Sequence, residues 1–159
     1  MLDTSFWIGA YRAEVAANCL DYFEIVVPRA VEGEIRSVQE ENPAREYPHA
    51  TLFRQLRSQM RDPPLAPHPS RSVLGAGEAE AIAIAAGLGS ALLINEGRGA
   101  RYAANRGITV VTVPGMVVAL RARNVISDRA ARSKLELIES ITPRTMIAEA
   151  VSALDSLRG

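Results

Sequence analysis

Four acidic residues, Asp3, Glu34, Glu78 and Glu96, stand where a parallel α/β sheet would present them for chemistry. Asp3 follows Met1-Leu2, all that remains of a short first strand. A carboxylate at the carboxyl end of a strand sits where open α/β sheets bind their ligands. Glu34 lies in VPRAVEGEI, Glu78 in GAGEAEAIAIA and Glu96 in ALLINEGRGAR. Acids spread over 93 positions that converge at one sheet edge make a hard-metal site. Each acid also has an ordinary use. Asp3-Thr4-Ser5 is a good helix cap. Glu34 stands beside Glu32 on an expected surface helix. Glu78 or Glu80 in a first helical turn compensates the helix dipole, and periodicity does not choose between them. Asn95-Glu96 follows a buried strand and has the strongest positional argument after Asp3.

The elements that must position these residues alternate between strand and helix, which predicts a mainly parallel sheet with helices on both faces. Residues 5–22 read as a helix, and 24–27 as a strand closed by Pro28. Pro28 suits the first turn of a helix running to about Glu41, with Glu34 one to two turns inside. Asn42-Pro43 breaks it, residues 46–60 form another helix, and DPPLAPHPS is a loop. A helix from about Glu78 to Ala86, apolar throughout 81–86, is expected to be buried all round. Residues 91–94 and 108–113 read as strands flanking a helix at 98–106, with Gly107 as its C-cap. A helix at 115–123 follows. The tail, 128–141 and 143–157, gives two more helices, with Thr142 as N-cap and Pro143 in the first turn. Leu135, Ile138 and Ile141 are expected to face Met146, Ile147, Val151 and Leu154.

A chain of 159 residues, 48% of them apolar, is read as one domain over 1–159, with 128–159 as a C-terminal helical extension. No apolar run approaches the ~18 residues of a membrane span. A basic n-region followed by an apolar h-region is absent, and the single cysteine, Cys19, fits a reducing compartment, so a cytoplasmic location is expected. The formal net charge is zero, which excludes a general polycation. Residues 97–134 nevertheless carry seven arginines and Lys134 against one acid, Asp128. Arginine suits bidentate contact with phosphate. Gly75-Ala76-Gly77 is not a dinucleotide fingerprint, because Glu80 stands where the third glycine is needed. His49 and His68 lack zinc-ligand spacing, and no Ser-His-Asp constellation can be assembled.

Over most of its length the chain resembles the PIN-domain proteins. The matching pieces are LDTS, VPRAVEGEI, GEAEAIAIA and LLINEGRGARYAANRGITVVTVPGMVVALRARNVI. The resemblance implies a three-layer α/β/α doubly wound fold with a mainly parallel sheet and an acidic Mg²⁺ or Mn²⁺ site. Many members cleave RNA, including VapC-type toxins, so it also implies RNA as substrate, an antitoxin-like protein as a candidate partner, and a homodimer. Val117, Val118, Leu120 and the tail helices are the apolar surface expected to form that dimer. The family's first Asp falls on Asp3, its Glu after the second strand on Glu34, and the Glu of its Gly-Glu pair on Glu78. Where members usually carry Asp followed by Asp or Glu, this chain has Asn95-Glu96. Asp3, Glu34, Glu78 and Glu96 are the expected catalytic acids, and the same four with Asn95 the expected metal ligands. Arg98 and Arg101, just beyond, are expected to bind neighbouring phosphates. The expected activity is metal-dependent hydrolysis of single-stranded RNA. The alternative is a catalytically weakened or inactive PIN-fold module that binds RNA or protein.

Overall fold

The computed structural model describes residues 1–64, 74–95 and 97–157. Its extended chain is brief and lies at the centre. β1 (Leu92–Leu93) and β2 (Val110–Val111) pair in parallel, Leu92 opposite Val110 and Leu93 opposite Val111. Short neighbouring stretches extend this pair through backbone hydrogen bonds. Asp3 N donates to Leu93 O at 2.9 Å, and Leu93 N to Met1 O at 2.7 Å. Leu2 N donates to Val26 O at 2.9 Å, and Arg61 N to Ile25 O at 2.8 Å. The order across the molecule is therefore Arg61, residues 25–27, residues 1–3, β1 and β2. Chain order runs outward both ways from residues 1–3. That is the switch point beside which such sheets leave a crevice beyond their carboxyl ends.

Successive side chains of an extended segment point to opposite faces, and here they enter different cores. Leu2 and Leu93 join Phe6, Phe53, Val113 and Leu120 in one cluster, whereas Met1, Leu92 and Ile94 join Ile82, Ile84 and Ala103 in the other. Burying a side chain of this size contributes about 1.5–3 kcal/mol, so the two clusters fix the register of the central stretches.

The helix expected over 5–22 is two helices, α1 (Thr4–Arg12) and α2 (Ala16–Tyr22). Glu14, at φ 55°, breaks the run. In one continuous helix Ala13 and Val15 would point about 200° apart. The break lets both reach full burial. The strand expected at 24–27 shortens to a bridge between Val26 and Arg61, with a further hydrogen bond from Leu2 N to Val26 O. α3 (Arg29–Glu41) has Pro28 at its N-cap rather than in its first turn and no cap from a side chain of its own. α4 (Pro48–Leu56) tightens into a 3-10 turn at Arg57–Gln59. α5 (Ala76–Leu88) starts before Glu78, so Gly77 is inside it, and Gly89 at φ 58° closes it. α6 (Gly97–Ala104) leads to β2, which is short because Thr112 already caps α7 (Val113–Ala122) by accepting from Gly115 N.

The tail forms α8 (Asp128–Ile138) and α9 (Arg144–Ser156), with a 3-10 turn at Glu139–Ile141 between them. Thr142 is buried and its Oγ1 has no hydrogen-bond partner among the described residues, so it does not cap α9; Pro143 holds the cap position. Leu135, Ile138 and Leu154 are buried, whereas Ile141 is exposed and outside the expected stripe. Val117 and Leu120 are fully buried within the chain, and Val118 packs against the same core. These residues are therefore core and not a free dimer face. No helix among the described residues is long and apolar enough to cross a membrane.

Candidate active site

The turns after residues 1–3 and after β1 meet at the switch point, and hydroxyl groups join them. Asp3, 5% exposed, caps α1: its Oδ2 accepts from Ser5 N at 2.9 Å and from Ser5 Oγ at 2.5 Å. Ser5 Oγ in turn accepts from Asn95 N at 3.1 Å. The next residue, Thr4, donates from Oγ1 to Glu34 Oε2 at 2.5 Å, and Gly77 N donates to Glu34 Oε1 at 3.0 Å. The half-buried Glu34 carboxylate thus joins α1, α3 and α5, touching the chain neighbours of Asp3 and Glu78. Both donors are neutral, and among the described residues no cationic side chain pairs with Glu34.

Glu78 projects from the same end of α5 over the first turn of α6. A Cβ at Gly99 would overlap its Oε1. A Cβ at Gly77 would lie 2.6 Å from Glu34 Oε1. Two glycines therefore leave room for two carboxylates. Glu80, the acid that periodicity left in competition with Glu78, has a structural task. Its Oε2 accepts from Ala30 N at 2.7 Å and supplies the cap that α3 lacks.

Asn95 uses its backbone N–H toward Ser5, while its Oδ1 accepts from Val113 N at 3.3 Å at the start of α7. Glu96 and His68 lie outside the described residues. Arg98 and Arg101 are exposed on α6, and neither makes an ion pair or side-chain hydrogen bond among the described residues. The rest of the arginine-rich stretch is largely committed elsewhere. Arg132 bridges Asp128 and Asp155, Lys134 holds the Glu14 carbonyl, Arg123 covers the Phe23 ring and Arg106 the Tyr102 ring.

Among the described residues, no three His, Cys, Asp or Glu side chains stand close enough to hold a metal ion as they are placed. The donor chemistry itself suits a hard cation, since carboxylate and amide oxygens are what Mg²⁺ and Mn²⁺ take. Thr4, Ser5, Gly77 and Gly99 are the site-building residues that sequence reasoning overlooked. The available signal was Gly77, a glycine inside a helix directly before an acid, where it costs up to ~1 kcal/mol relative to alanine.

A family model described as a PIN domain matches residues 17–144. Glu34, Glu78 and Asn95 fall inside the match and Asp3 precedes it. No curated protein and no solved structure matches the chain.

Proposed function

The chain belongs to the PIN-domain family, an α/β family of generally nuclease-like function, and from that premise we propose that it is a Mg²⁺- or Mn²⁺-dependent endoribonuclease acting on single-stranded RNA. One observation carries the reading: Glu34 is bonded to Thr4 and Gly77, the neighbours of Asp3 and Glu78, and Asp3 is bonded through Ser5 to Asn95. Positions far apart in the chain share one hydrogen-bonded neighbourhood at the switch point. The reading includes the three-layer α/β/α arrangement, supported by the two cores that alternate residues of the central stretches enter.

Asp3, Glu34, Glu78 and Glu96 are the acids that would hold the ion, with Asn95 as a neutral oxygen donor. A bound divalent cation supplies positive charge at the attacked phosphate and makes water a better nucleophile at neutral pH. Thr4, Ser5 and the Gly77 amide orient the carboxylates from behind. Arg98 and Arg101 bind phosphates flanking the cleaved one. Water oxygen bonds to phosphorus, the bond from phosphorus to O3′ breaks, and the leaving oxygen takes a proton. The products are a 5′-phosphate and a 3′-hydroxyl.

A second reading, a PIN-fold module that binds RNA or protein without cleaving, is favoured by Asn95. It replaces a carboxylate with an amide whose oxygen already caps α7. Incubating the chain with single-stranded RNA, Mn²⁺ and then EDTA separates the two readings. Cleavage that stops on chelation and leaves 5′-phosphates supports the enzyme. Cleavage that persists in EDTA, or that leaves 2′,3′-cyclic ends, rejects this mechanism, and binding without cleavage favours the module.

A further inference from the structure

Two turns of α1 beyond Thr4, three rings gather at the surface. The Tyr11 and His49 centroids are 6.2 Å apart, and those of Tyr47 and His49 are 6.0 Å apart and nearly perpendicular. Thr4 and Tyr11 are seven residues apart, so they share one face of α1 and lie about 10 Å apart along its axis. α3 leads the same way. It carries Glu34 at the site and, further on, Gln39, whose amide accepts from Tyr47 N at 3.1 Å and donates to Arg45 O at 2.9 Å. The cluster has a firm floor. Trp7 Nε1 donates to His49 O at 2.9 Å, and the buried Trp7 and Phe53 rings pack edge to face at 5.3 Å.

Each of the three rings is half-buried, supported by the fold yet open to solvent. The rim carries two cations, the exposed Arg12 and Arg45. Neither guanidinium forms an ion pair among the described residues; that of Arg45 rests 5.2 Å from the Tyr47 ring centre. The nearest acid in sequence, Glu46, is exposed and also forms no ion pair among the described residues. Burial, and then the charge of Arg12, hold His49 below its usual range and so keep it a neutral ring. Solvent-accessible aromatic rings edged by guanidinium groups are what single-stranded nucleic acid binds, because every base has a π-face and every linkage a charge.

We propose that Tyr11, Tyr47 and His49, with Arg12 and Arg45, form a stacking platform for single-stranded RNA, a few nucleotides from the phosphate that Asp3 and Glu34 address. The choice of ligand rests on the ribonuclease reading, while the platform itself is tested by binding alone. The probe is a short fluorescein-labelled oligoadenylate bound to the full chain in EDTA, where no cleavage occurs. Tyr11→Leu and Tyr47→Leu should each weaken binding about tenfold, equal to ~1.4 kcal/mol. Tyr11→Phe should keep wild-type affinity, because the ring remains. Replacing Arg12 and Arg45 together by alanine should lower the salt slope by about 1.4 with no change in melting temperature. Where a Leu variant fails to fold, the arginine pair decides, since both side chains are exposed.

Wild-type binding that none of these substitutions changes overturns the platform and leaves the ribonuclease reading standing. Ring-dependent binding without any Mn²⁺-dependent cleavage supports the platform and overturns the ribonuclease reading. Absence of oligoadenylate binding overturns the platform and leaves the ribonuclease reading to Mn²⁺-dependent cleavage. Competition by oligoglutamate with the same dependence on the rings overturns RNA as the occupant in favour of an acidic protein.

Discussion

Replacing Gly77 with alanine separates the site from the fold. The added Cβ would lie 2.6 Å from Glu34 Oε1 and 2.7 Å from Oε2, whereas ordinary contact begins at 3.4 Å. The carboxylate must retreat by about 0.8 Å, because the glycine is held by its helix and the Glu34 side chain is the movable partner. Retreat breaks the bond from Gly77 N and strains the one from Thr4 Oγ1. Losing one hydrogen bond to a charged acceptor costs about 1.5–3 kcal/mol, and alanine in a helix returns up to ~1 kcal/mol. The net loss is on the order of 1 kcal/mol, a drop of about 2–4 °C in Tm for a chain of this size. The effect on rate should be far larger. A displacement near 1 Å in a catalytic arrangement costs on the order of 100-fold. Gly33→Ala is the control, since its Cβ meets nothing within 4 Å although it adjoins Glu34. It should leave the rate unchanged and hold or raise Tm. The assay is initial-rate cleavage of a fluorogenic single-stranded RNA in Mn²⁺, with thermal melts of the three proteins. If Gly77→Ala stays within about twofold of an active wild type while folded, the placement of Glu34 does not matter to turnover and the reasoning fails.

Three further outcomes follow from other parts of the molecule. Arg98→Ala with Arg101→Ala should weaken RNA binding and lower the slope of log affinity against log salt by about 1.4, at ~0.7 per phosphate contact on a single strand; an unchanged slope returns both arginines to an ordinary solvated face. Asn95→Asp keeps the oxygen that accepts from Val113 N and adds a charge near the site, so it should tighten Mn²⁺ binding in calorimetry and raise the cleavage rate; if neither changes, the missing carboxylate is not what limits this chain. Burial pushes the Cys19 thiol from 9.0 up to about 12. The folded chain should therefore resist thiol reagents at pH 8 and label only on unfolding, and the stability it gains from the protonated thiol, complete below pH 9, should fade toward pH 12. Rapid labelling of the native protein would contradict that burial.

The places of Asp3, Glu78 and Asn95 were legible in the sequence because each follows an apolar strand end or lies in the first turn of a helix, whereas Glu34 lies inside α3 and only its family motif singled it out. Asp3 follows two apolar residues that do become the central stretch, and Asn95 follows one of the few fully apolar strands. What joins them was not legible. The Thr4 and Ser5 hydroxyls read as cap residues, and only the folded chain brings Glu34 and Asn95 N within their reach. Glu78 and Glu80 were equivalent by periodicity; the empty cap of α3, visible only in three dimensions, engages Glu80. The arginine-rich stretch looked uniform in sequence, yet tertiary contacts commit Arg106, Arg123, Arg132 and Lys134 elsewhere, while Arg98 and Arg101 form no ion pair among the described residues. Strand length was overestimated at 108–113 because β-branched residues continue past Thr112, where the next helix begins, and at 24–27 because only Val26 forms a bridge although the whole segment precedes Pro28. The helix at 5–22 failed at Glu14, since propensity carries no information about two small residues that must both face the core.

The most direct test of the central claim is Mn²⁺-dependent cleavage of single-stranded RNA by wild type and by Asp3→Asn, side by side. Asparagine caps helices about as well as aspartate, so α1 should survive and the two proteins should melt alike. The expected result is cleavage by wild type, loss of at least about 100-fold in the variant, and a matching loss of Mn²⁺ binding. Equal cleavage by the two folded proteins would show that the Asp3 carboxylate takes no part in the chemistry, and the account of this site would be wrong.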